Sequence, residues 1–260
     1  MPGFSCRISA VLAVLALAGC AGLQNSDETP NNSLGSVLPS ANAQAADAER
    51  RGDWDAAARD WRAALDRQPD DRTIMLSLAR ALRLSGNCGQ SMTVVGRMLT
   101  KATNDAEALV ESAKCHLVSG RPEAAETQLV SAIELAPDSW EAETTLGVVY
   151  DSLGRFAEAQ AHHDRALALA PDKSAVISNK ALSLSLGGRL DEAVALMRRA
   201  AAQPDAPARV RMNLAMLEAM AGNGDRASTI AAQETIDAKT EKLGVLKRVA
   251  DGAKGRNPVR

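Results

Sequence analysis

The sequence predicts an all-α solenoid of about six helix–turn–helix units closed by a C-terminal capping helix. Three observations predict it. Composition is the first: 46% of the 260 residues are apolar but only 2% are aromatic. The core must therefore be built mostly from Ala and Leu, a bias typical of helical chains. The second is a ladder of glycines at one step of 34 residues, Gly52, Gly86, Gly120, Gly154, Gly188 and Gly222. The third is that small residues keep the same step. Ala45, Ala79, Ala113, Gly147, Ala181 and Ala215 precede the glycines; Ala57, Ser91, Ala125, Ala159, Ala193 and Ala227 follow them. A glycine that ends one helix and small side chains on both flanking helices describe a close-packed helix pair.

The segments follow in order. Residues 1–19 read as a leader: Arg7 supplies charge, and ISAVLAVLALA (8–18) is an apolar run of about 11 residues, short of the roughly 20 that a membrane-spanning helix needs. The run ends in Leu17-Ala18-Gly19-Cys20, which resembles a bacterial lipobox. That resemblance implies cleavage before Cys20 and a lipid on its sulfur. With Ala21 rather than Asp next in the chain, it also implies an outer-membrane address. Residues 20–39 are rich in Asn, Ser, Gly and Pro and carry no apolar period, as in a flexible tether. Residues 40–237 hold the repeats, with units starting near Leu38, Arg72, Ala106, Trp140, Ser174 and Ala208. Pro69, Pro137 and Pro171 stop three of them, and Pro204 comes one place early in the fifth. Residues 238–260 are predicted to form the capping helix, TEKLGVLKRVADGAK, and a basic tail.

The repeat resembles the tetratricopeptide repeat, a helix–turn–helix unit of 34 residues. The fourth unit carries the resemblance best, through Leu146, Gly147, Tyr150, Ala159, Ala166 and Pro171. Such units bury their faces only by stacking, and the first helix of each lines an inner wall that binds a peptide or a partner helix. By repeat position, that wall takes Val110, Val148, Asn179, Leu182, Leu186, Arg209, Met212, Asn213, Met216 and Met220. The methionines form an i, i+4, i+8 stripe suited to a partner helix, or to packing beneath the C-terminal helix.

Other chemistries are weighed against this frame. The formal net charge of −2 gives no reason to expect nucleic acid. His162, His163 and Asp164 invite a metal or acid–base reading, but neighbouring helical residues point about 100° apart, and a metal pair on one helix face needs i, i+4 spacing. His163 instead falls on a slot where the resemblance implies a Tyr or Phe, and His116 falls on the slot of Tyr150. His162 and Asp164 are expected to be solvated. No nucleophile motif, phosphate-binding loop or CxxC occurs, so no catalytic residue, metal, cofactor or small-molecule substrate is expected. Cys6 leaves with the leader. Cys88 opens one helix and Cys115 ends its antiparallel neighbour. In an oxidising compartment they are expected to pair, adding roughly 3–4 kcal/mol, the alternative being two buried thiols.

A narrower resemblance covers the C-terminal half. LGVVYDSLGRFAEAQ (146–160), NKALSLSLGGRLDEA (179–193) and VRMNLA (210–215) resemble segments of the TadD-like lipoproteins of tight-adherence (Tad) pilus assembly. Lys180 departs, where Leu is usual. The resemblance implies a non-enzymatic, pilotin-like part in assembling or placing the outer-membrane secretin of a Flp-type (type IVc) pilus. The alternatives are a repeat lipoprotein scaffolding another envelope machine, and an enzyme using His162, His163 or Asp164.

Overall fold

The computed structural model describes residues 40–204 and 206–234. The expected leader, Cys20, the tether, the C-terminal helix and the basic tail lie outside the described residues. Every described element is an α-helix, and none of these helices is long and apolar enough to cross a membrane. The chain forms two compact blocks, one ending at Pro171 and the other starting at Asp172.

The first block contains four helix pairs: α1 (Ala41–Arg50) with α2 (Trp54–Arg67), α3 (Arg72–Leu84) with α4 (Cys88–Lys101), α5 (Ala106–Val118) with α6 (Pro122–Leu135), and α7 (Trp140–Ser152) with α8 (Phe156–Leu169). Helix α3 shows why each forms where it does. The Asp71 carboxylate accepts the Ile74 N–H at 3.0 Å and satisfies one of the amides that the first turn leaves unpaired. Ile74, Leu78, Ala81 and Leu82 then repeat at helical spacing and are buried. The helix stops at Gly86, whose φ of +85° admits no side chain cheaply. There the Asn87 N–H reaches back to the Leu82 carbonyl at 2.7 Å and closes the end. All six ladder glycines have positive φ, so the 34-residue step is a step in backbone handedness.

Asp105 and Ser139 cap α5 and α7 as Asp71 caps α3, at the same 34-residue step. Asp105 also accepts two bonds from the Arg72 guanidinium, at 2.7 and 2.8 Å, and so ties the start of α3 to the start of α5. Burial alone would raise the Asp105 carboxyl. Arg72 and the Ala108 N–H outweigh it and hold the group below the ordinary aspartate value.

The helices approach closely because the contact positions are small. Ala45, Ala57, Ala79, Ser91, Ala113, Ala125 and Ala159 have no exposed surface. Ser91, where alanine is the rule, donates its hydroxyl to the Ala79 carbonyl at 2.8 Å and is satisfied inside the core. At Gly147 the need is absolute: a Cβ there would lie 2.6 Å from the His163 ring.

The second block stacks α9 (Ser174–Leu186), α10 (Leu190–Ala201), α11 (Ala208–Met220) and a helical stretch described through residues 224–234. Ile177, Met197 and Leu217 are fully buried between them. Arg198 and Asn223 both donate to the buried carboxylate of Glu218, at 2.7 and 2.8 Å. Lys173 and Pro207 occupy the register of Asp71, Asp105 and Ser139 but give no side-chain cap.

Gly147→Ala should lower stability by about 1–3 kcal/mol through overpacking against His163. Gly96→Ala, in the exposed middle of α4 with open space around it, should raise it by about 0.5–1 kcal/mol. Urea midpoints check both. Because Asp105 titrates lower in the folded chain, its contribution is present above about pH 4 and is lost as pH falls through the lowered value. The gap in urea midpoint between the parent and Asp105→Asn should therefore be wide at pH 7 and close at low pH.

Candidate partner-binding surface

In the first block α3 lies against α5 and α5 against α7; in the second, α9 lies against α11. Within each block the first helices thus stand side by side as a stretch of inner wall, and the expected groove residues fall on them in shared slots. Val148, Leu182 and Met216 share one slot, Val110 and Met212 another, Asn179 and Asn213 a third, Leu186 and Met220 a fourth. Their exposure is graded. Val110, Val148, Asn179 and Leu182 are buried. Leu186, Arg209, Asn213 and Met216 are half-buried. Met212 and Met220 are exposed, at 45% and 49%. The accessible part of the wall in the second block is therefore the methionine stripe of α11, flanked by Arg209 and Asn213. A separate cavity of about 360 Å³ lies between α10, α11 and the 224–234 stretch. It is lined by Leu214 and Ile230 among polar groups and shares no residue with the stripe.

Sequence reasoning passed over the first block's version of this wall. The slot of Val148 is filled one repeat earlier by Lys114 and two repeats earlier by Arg80. Lys114 is fully buried and donates to Glu111 at 2.8 Å; Arg83, also buried, donates to the other Glu111 oxygen at 2.8 Å. Arg80 and Glu141 stand at 4.0 Å from the cluster's ends. Side chains of α3, α5 and α7 are thereby joined by charge. Burial would raise the Glu111 carboxyl, but Lys114 and Arg83 together hold it below the ordinary glutamate value. The ladder itself was the available signal: a Lys and an Arg stand in a slot that is otherwise apolar.

The histidines resolve differently. His163 is buried in the aromatic slot against Gly147, with Nε2 at 3.0 Å from the Asp151 carboxylate and Nδ1 unpartnered. His162 is not solvated, contrary to expectation. Its Nδ1 sits 2.6 Å from buried Glu143 across the α7–α8 interface, and its ring lies 5.2 Å from that of Tyr150. Tyr150 is covered in turn by the Arg155 guanidinium at 4.3 Å. Asp164 is exposed, as expected. Among the described residues no group of three His, Cys, Asp or Glu side chains is arranged to hold a metal. Each of these two histidines faces a carboxylate across a helix pair, an arrangement that fixes packing.

Cys88 and Cys115 meet where the antiparallel geometry requires, at the start of α4 and the end of α5. They are separate thiols in this structure. Cys88 is half-buried and Cys115 fully buried.

The tetratricopeptide-repeat family profile matches residues 42–91 and again 119–182. The repeats are tetratricopeptide repeats. The chain is similar in fold to TTC0263, a thermophilic tetratricopeptide-repeat protein of Thermus thermophilus, with a TM-score of 0.61 at 22% identity over 70% of this chain and 98% of that one. It is also similar to a tetratricopeptide-repeat protein from Parabacteroides merdae, with a TM-score of 0.52 at 18% identity over 74% and 77%. No curated protein matches the chain. Tetratricopeptide stacking explains why α3, α5 and α7 lie side by side, and it makes the Glu111 cluster a junction between successive repeats.

Glu111→Gln leaves two buried cations without their shared anion and should cost about 3–5 kcal/mol in urea unfolding. The triple replacement Arg83→Met, Glu111→Leu, Lys114→Met removes the charges together and should cost clearly less than the single change.

Proposed function

We propose that the chain is a lipid-anchored, non-enzymatic scaffold on the periplasmic face of the outer membrane, where it serves tight-adherence pilus assembly in the manner of a pilotin. The single observation that carries the binding role is the methionine stripe on the inner-wall helix α11, with Met212 and Met220 exposed and Met216 half-buried between them. A tetratricopeptide array offers its first helices to protein partners, and unbranched methionines adapt to a helical partner's apolar face. Arg209 and Asn213 sit beside the stripe to meet backbone carbonyls or a carboxylate.

The address and the partner rest on sequence. Leu17-Ala18-Gly19-Cys20 supports acylation at Cys20. Several buried acyl chains, at about 0.8 kcal/mol per methylene, hold a protein to a membrane firmly. The segments at 146–160, 179–193 and 210–215 support the tight-adherence family. In this reading the lipid gives the address and the repeats grip the secretin or a neighbouring component of the pilus machine.

The lipidated protein drawn from envelope extract should bring down the secretin, and its reproducible absence sinks the pilus reading. Met212→Glu with Met220→Glu should cut that recovery about tenfold or more, as expected for groups at the centre of an apolar contact. The helical circular dichroism should stay unchanged, because both side chains are exposed. Cys20→Ala should move the protein out of the outer-membrane fraction and reduce correctly placed secretin multimers.

A further inference from the structure

We propose that Cys88 and Cys115 form a thiol–disulfide exchange site, in which Cys88 attacks an incoming disulfide and Cys115 resolves the adduct, locking the second repeat to the third. The substrate class is a low-molecular-weight or protein disulfide. The proposal stands on the thiol geometry and does not depend on the pilus reading.

Three features carry it. The two residues, 27 apart in sequence, lie at facing ends of packed antiparallel helices: the Ser112 hydroxyl of α5 donates to the Met92 sulfur of α4 at 3.3 Å, and that register sets the start of α4 at Cys88 against the end of α5 at Cys115. Their access is unequal: Cys88 is half-buried at the first position of α4, while Cys115 is fully buried in α5. Their chemistry is unequal in the same sense. The neighbouring Cys115 thiol favours the Cys88 thiolate, and nearby Arg83 adds to this against the effect of burial. The same proximity, together with burial, pushes Cys115 up and keeps it a thiol until its neighbour has reacted. The accessible sulfur is thus the better nucleophile, and the inaccessible one waits beside it.

The exchange balances without a further reactant. The Cys88 thiolate attacks one sulfur of R–S–S–R, forms Cys88–S–S–R and expels RS⁻. With its neighbour capped, Cys115 gives its proton to the departing thiolate. Its sulfur then attacks the Cys88 sulfur and expels the second RS⁻, which takes up the Cys88 proton from solvent. Two thiols are oxidised to one disulfide, and R–S–S–R is reduced to two RSH.

The test uses the full-length chain in detergent with oxidised glutathione, followed by alkylation under denaturing conditions and peptide mapping. The mapping separates Cys6 and Cys20 from the pair. The parent chain should yield a Cys88–Cys115 crosslinked peptide. Cys115→Ser should instead accumulate glutathione on Cys88, and Cys88→Ser should leave Cys115 unmodified over the same period. Because either serine variant can disturb packing, native-state alkylation of the reduced parent with iodoacetamide provides an independent readout. There Cys88 should label at least tenfold faster than Cys115. Cys88 and Cys115 both remaining alkylatable after prolonged exposure to oxidised glutathione would overturn the proposal, and so would faster labelling of Cys115.

Discussion

Close approach of helices is the constraint on which everything else here depends. The core contains few aromatic side chains and interleaves its leucines with many alanines; burying a leucine is worth about 1.5–3 kcal/mol and an alanine far less. Stability must come from many helix contacts, each short enough that backbones and small side chains touch. That requires a small residue on both sides of each turn and a turn that reverses within a few residues. The positive-φ glycines provide the reversal, and Ala79, Ser91, Ala113 and Ala125 provide the clearance.

Within this lattice of small contacts the polar groups act as stitches between pairs. Arg72 with Asp105 joins the starts of two first helices at the block's margin. Arg83, Glu111 and Lys114 join the same helices deep inside. His162 with Glu143, and His163 with Asp151, do so within one pair. Packing of small residues tolerates slippage by a turn, whereas a buried carboxylate between two cations has one correct register.

Much of this was legible before any coordinates. Spacing gave the repeat and the turn glycines, the tetratricopeptide resemblance gave the packing slot of His163, and antiparallel geometry put Cys88 and Cys115 on facing helix ends, because each depends on local period or on simple helix pairing. Pairings across helices were not legible. Glu111 and Lys114 look like a solvated charge pair on one helix, and only the neighbouring helix supplies Arg83 and encloses all three. His162 looked solvated because its partner, Glu143, lies 19 residues back on the facing helix. The caps at Asp71, Asp105 and Ser139 stood in plain register with the glycines, and a search confined to small residues did not find them.

That register of caps has a consequence of its own. The first helices of the second, third and fourth repeats each begin with a side chain closing the first turn, and those of the fifth and sixth do not. A cap contributes about 1 kcal/mol to its helix, and in a repeat array such local terms add along the chain. The array therefore differs along its length in how its first helices begin: capped by a side chain in the second, third and fourth repeats and uncapped in the fifth and sixth. The helices that begin at Ser174 and Ala208 thus lack a stabilising contribution that the three first helices before them share.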